Sequence, residues 1–174
     1  LEQYCALRDV YTAHRGAEHP KTIELGITIS QIYFTLEQPD RAFQVLSDTV
    51  HRFEQSENTP QWYLTGTLDM LGEAYAEYGR FKEAEAVFRK IIELEKQDET
   101  EEVETILKLG MVLLETDPGE GIELLESTLI ELEDDDCDPH LVLMVLSALA
   151  DALNEINEPE RAQQWQSRAD YMQQ

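Results

Sequence analysis

Three carboxylates at four-residue intervals, Asp69, Glu73 and Glu77, share one stripe of any helix that contains them, and Asp151 and Glu155 repeat the spacing farther along. Like charges at i, i+4 cost a helix about 0.2–0.5 kcal/mol each, so the stripe does not stabilise its own helix. Carboxylates displayed this way either attract a Lys- or Arg-bearing segment or stand as solvated surface in a chain with 37 acidic residues. On the first reading Gln31, Phe34, Leu107, Met111, Leu114 and Asn154 supply apolar and hydrogen-bonding contacts beside them.

The other chemistry-bearing residues assemble nothing comparable. His14, His19, His51 and His140 do not recur at i, i+4, and no Glu-x-x-His pair exists to build a di-iron bundle site. There is no glycine-rich phosphate loop, no H-E-x-x-H and no G-x-S-x-G. The Asp134–Asp136 run lacks the alternating ligands, central glycine and distal glutamate of an EF-hand loop, and reads as a solvated linker. Two cysteines, Cys5 and Cys137, are too few for a disulfide framework or a thiolate zinc site; both read as small packing residues in a reducing, cytoplasmic setting. Trp62 and Trp165 are expected to lie between neighbouring helices, and His19 to be a turn residue. No catalytic residue, cofactor or metal ion is expected.

Charge narrows the partners. The chain carries a net −24, and residues 99–174 hold 3 basic against 20 acidic side chains. Such a field repels phosphate backbones and anionic membranes and favours cationic partners, so no nucleic-acid or membrane partner is expected. No apolar run approaches the roughly 20 residues of a membrane span.

The elements that must position these residues are helices. From Leu68 to Ile92 apolar residues recur at helical spacing on both sides of a break at Tyr78-Gly79-Arg80: Leu68, Leu71, Gly72 and Tyr75 before it, Ala84, Phe88 and Ile91 after. Aligning the small residue of each second helix gives Ala42, Ala84, Gly121 and Ala162; the first helices give Ser30, Gly72, Gly110 and Ala150. The intervals are 42, 37 and 41 in one ladder and 42, 38 and 40 in the other. Prolines at 39, 118 and 159 mark three of the turns, each suited to a first helical position. The reading is a single domain, 1–174, of helix pairs at 20–54, 60–96, 100–133 and 139–173. Residues 1–14 are a second helix whose partner lies upstream, leaving Tyr4, Leu7 and Tyr11 open to self-association. The third pair is nearly apolar all round in its first helix and puts Glu120, Glu123 and Glu126 outward in its second. The last helix is glutamine-rich, with Gln166 where Phe88 stands in the second pair, as a terminal cap requires.

The spacing L-G-x-x-Y, then Ala, then Phe four later, resembles the tetratricopeptide repeat signature. The period near 42, with the linker Gly16-Ala17-Glu18-His19-Pro20-Lys21-Thr22 as G-x-x-H-P-x-T, resembles the kinesin-light-chain variant; Asp138-Pro139-His140 looks like a degraded copy of that linker. The resemblance implies an all-α, right-handed αα-superhelix of about nine antiparallel helices, first helices lining a concave face and second helices the convex one. It places Asp69, Glu73, Glu77, Asp151 and Glu155 on the concave face. It thereby argues against the chaperone-type clamp, which uses Lys, Arg and Asn there to hold a peptide carboxylate. The function expected is a non-catalytic protein-interaction scaffold taking a Lys/Arg-rich segment in an acidic concave groove. The alternative is a sensor or regulatory arm of a larger signalling ATPase or protease.

Overall fold

The computed structural model describes residues 1–17, 19–55, 60–97, 103–131 and 138–172. The Asp134–Asp136 run and Cys137 lie outside the described residues. Among those described, every regular element is a helix: α1 (Glu2–Arg15), α2 (Pro20–Thr35), α3 (Pro39–Glu54), α4 (Gln61–Glu77), α5 (Phe81–Gln97), α6 (Val103–Thr116), α7 (Pro118–Glu131), α8 (Pro139–Glu155) and α9 (Pro159–Met172). None of the described helices is long and apolar enough to cross a membrane. The chain divides into two compact units, Leu1–Leu71 and Gly72–Gln174.

In the first unit α2 packs on α3, burying Ile23, Leu25 and Ile29 against Ala42, Phe43, Leu46, Val50 and Phe53. The G-x-x-H-P-x-T linker works as a helix start. His19 is the N-cap of α2, its Nδ1 accepting the Lys21 amide at 3.2 Å, with Pro20 at the first helical position. The Thr22 hydroxyl donates to the Gly16 carbonyl at 3.0 Å, and Gly16 takes a φ of 95°. Asp138 repeats the device at the start of α8, accepting the His140 amide at 3.0 Å ahead of Pro139. Helix α1 packs on α2 but buries none of its residues fully, and Leu1, Tyr4, Leu7 and Val10 stay exposed.

Three turns between paired helices share one hydrogen-bond pattern. The amides of Glu37 and Gln38 donate to the carbonyls of Phe34 and Tyr33; Gly79 and Arg80 donate to Ala76 and Tyr75; Asn157 and Glu158 donate to Asn154 and Leu153. Each is a Schellman closure whose central residue is left-handed, with φ of 55° at Glu37, 70° at Gly79 and 64° at Asn157. Only Gly79 takes that conformation without a Cβ penalty. Glu37→Gly should therefore raise stability by about 0.5–1 kcal/mol, less than the full left-handed penalty because glycine also gains freedom in the unfolded chain. Urea unfolding of the full chain would measure it. The third turn has no such residue: Asp117 alone joins α6 to Pro118, its amide donating to Leu113 O at 2.7 Å. That shorter joint leaves Gly110 and Gly121 11 residues apart, where the other three pairs keep 12, and so accounts for one residue of the contraction.

The small-residue ladders mark helix contacts. Ser30, Gly72, Gly110 and Ala150 are buried, as are Ala42, Ala84, Gly121 and Ala162. A Cβ on Gly72 would stand 2.8 Å from the Phe88 ring, and one on Gly121 would meet the backbone of Leu113 and Leu114. The core of the second unit runs through Leu107, Ile122, Leu125, Leu129, Leu146, Leu149 and Trp165.

Two expectations about side-chain placement need correction here. Trp62 is 68% exposed. The next residue, Tyr63, takes the inward position with its ring 5.3 Å from Phe53, and successive helical side chains diverge by about 100°, so Trp62 turns out. Glu126 does not point freely outward. It accepts hydrogen bonds from Arg161 and, at 3.1 Å, from the Trp165 indole, and so holds α9 against α7.

Candidate functional site

The expected site residues divide between the units. In the first, Gln31 on α2 is exposed, Phe34 is half-buried with its ring edge-on to Phe43 at 5.3 Å, and Asp69 on α4 is half-buried. The second unit holds Glu73, Glu77, Leu107, Met111, Leu114, Asp151, Asn154 and Glu155.

There α6 and α8 pack together through one shared core, which leaves their opposite sides outward. Leu107 is 0% exposed inside that core and is not available to a partner. Its phase on α6 turns it toward the α7 and α8 side, where an apolar side chain is worth most. Met111 and Leu114 sit one layer out, partly buried against the same cluster. On α8 the side chains of Met144, Ser147, Asp151, Asn154 and Glu155 are exposed. Glu77 on α4 is exposed as well.

Two polar contacts fix how these helices neighbour one another. Glu73 Oε1 on α4 accepts from Lys108 Nζ on α6 at 2.8 Å. Glu104 Oε1 on α6 accepts the amide of Asp138, just before α8, at 3.4 Å. The first contact revises the picture of an unbroken acidic stripe, because Glu73 already holds a cation supplied from within the chain. Lys108 is the single Lys or Arg in 72–77, α6 and α8 taken together, against carboxylates at 73, 77, 104, 115, 151 and 155. Sequence reading passed over Lys108, since nothing local announces that it meets a residue so far back.

The second helices are tied by a different set of ion pairs. Arg89 bridges Glu85 at 2.9 Å and Glu120 at 2.8 Å, and Glu85 also accepts from the Thr116 hydroxyl at 3.2 Å. Both carboxylates hold the Arg89 guanidinium protonated, with Glu120 the larger influence. Beside this clasp lies a concavity of about 460 Å³ lined by Ile92, Ile106, Leu109 and Leu124 under a rim of Arg89, Glu93, Lys96 and Glu120. Its rim charges balance, so it offers no preference for a charged partner. The face made by α6, α8 and the end of α4 does.

Comparison with known proteins places the fold. Residues 66–98 match the tetratricopeptide repeat family. No curated protein matches the chain. Among solved structures, the nearly identical TPR-like repeats assigned to a kinesin light chain of Podosopora anserina superpose with a TM-score of 0.76 at 16% identity, covering 99% of this chain and 84% of that one. BtubC (BKLC) from P. vanneervenii gives 0.73 at 13% identity, over 99% of this chain and 79% of that one. MamA gives 0.67 at 17%, over 98% and 86%. Identities this low establish likeness of fold alone. Residues 66–98 thus match a tetratricopeptide repeat, and the chain as a whole has the all-α fold of tetratricopeptide-repeat proteins.

Proposed function

We propose that the chain is a non-catalytic scaffold whose second unit binds a Lys/Arg-bearing segment of a partner protein on the face formed by the end of α4, α6 and α8. The observation that carries this reading is the charge of that face. Glu77, Asp151 and Glu155 are exposed and make no ion pair with a described residue, and one lysine is the only Lys or Arg among these elements. Met111 and Leu114 offer partly buried apolar contact beside them. Charge of one sign on a surface steers an oppositely charged ligand and is screened by salt. Stacked helix pairs present extended surfaces suited to such segments.

The test is fluorescence anisotropy with a labelled lysine- and arginine-rich peptide and its glutamate-substituted counterpart, at about 50 and about 300 mM salt. The basic peptide should bind, with Kd rising about tenfold across that range, and the acidic one should not. Equal binding of both, or no salt dependence, contradicts the electrostatic reading.

A further inference from the structure

We propose that Lys108 is a built-in competitor on the binding face, a specificity-determining residue that withholds Glu73 from an incoming cation. The inference rests on the reading of that face as a site for basic segments.

The lysine lies where a ligand cation would lie. It is on α6 at helical spacing with Glu104, Met111 and Glu115, so its ammonium emerges among the same side chains. It reaches Glu73 Oε1 at 2.8 Å with 18% of its side chain exposed, while Glu73 is 56% exposed. The carboxylate is thus open to solvent and to a ligand, and the lysine is the more covered partner of the pair. The other two basic residues of 99–174 work elsewhere: Arg161 holds Glu126, and Arg168 donates to the Leu129 carbonyl. Fastening α9 accounts for both.

Two consequences follow for a ligand. A lysine or arginine arriving at Glu73 must displace Lys108 and then tolerate it as a like charge a few ångströms away. A ligand whose cations meet Glu77, Asp151 and Glu155 instead does not. The lysine therefore grades basic segments by where their charges fall.

Lys108→Met keeps the stem and removes the charge, and leaves Glu73 solvated rather than buried. The basic peptide should then bind about tenfold tighter than to the wild-type chain at low salt. Lys108→Arg should bind as wild type does. Lys82→Met, at an exposed position on α5, removes the same net charge from a second helix and should change affinity by less than about twofold. Thermal unfolding of each variant checks that the fold is kept. If the wild-type chain binds the peptide and Lys108→Met binds no better than Lys82→Met, the competitor role is wrong and the basic-segment reading stands. If neither the wild-type chain nor Lys108→Met binds, both are wrong. Binding gained only on Lys108→Met supports both.

Discussion

Phe88→Ala should remove about 4 kcal/mol of stability, in the range for emptying an aromatic from a packed core. Phe88 is 1% exposed on α5, and its ring covers the flat patch that Gly72 leaves on α4. For a chain this long the loss corresponds to about 10 °C in Tm. The pairing makes a sharper prediction than the single variant. Gly72→Ala alone puts a methyl 2.8 Å from Cε1 and Cζ of the ring. It should cost about 1–2 kcal/mol net, overpacking outweighing the roughly 1 kcal/mol that alanine gains in a helix. In the Phe88→Ala background the same methyl finds room and should restore stability. A double-mutant cycle by urea unfolding would show the coupling, and additive losses would contradict the close approach of α4 and α5.

Gly121→Ala should cost about 2–3 kcal/mol even though it adds a good helix former. A Cβ there would lie 2.7 Å from Leu114 N and 2.9 Å from Leu113 C. Those are backbone atoms, which cannot swing aside as a leucine methyl can, so α7 must lift from α6. The single-residue joint at Asp117 brings the two helices this close, and Gly121 follows from it. Gly66→Ala provides the opposite sign. That glycine is exposed within α4 with nothing within 4 Å of the added atom. The substitution should stabilise by about 0.5–1 kcal/mol. Circular-dichroism melts of the two variants should shift in opposite directions.

The helix pairs were legible because close helix contact demands small residues, and small residues leave a countable ladder. Ser30, Gly72, Gly110 and Ala150 could be found without coordinates, and the contracted second interval could be counted. The residue saved within the third pair could not be assigned to its joint, because Asp117 alone against three Schellman turns is a matter of backbone geometry. The site was less legible. Leu107 and Met111 are both apolar and four apart on one helix, so they overlap in phase, yet one lies in the core and the other at its margin. Composition cannot separate them in a helix that is apolar nearly all round. The Glu73–Lys108 and Glu126–Trp165 contacts join different repeats, and no local pattern encodes a partner that distant. Trp62 shows the converse: an apolar residue predicted inward stands outside because its neighbour Tyr63 fills the place.

The placement of the binding face can be tested by comparing the Kd of the basic peptide for the wild-type chain and for the Glu77→Gln, Asp151→Asn, Glu155→Gln triple variant. Each carboxylate is exposed, so the fold should be unchanged, and each contributes about 0.5 kcal/mol to a cationic ligand. The account predicts roughly tenfold weaker binding at low salt and a shallower dependence on salt. Unchanged affinity and an unchanged salt slope would contradict it.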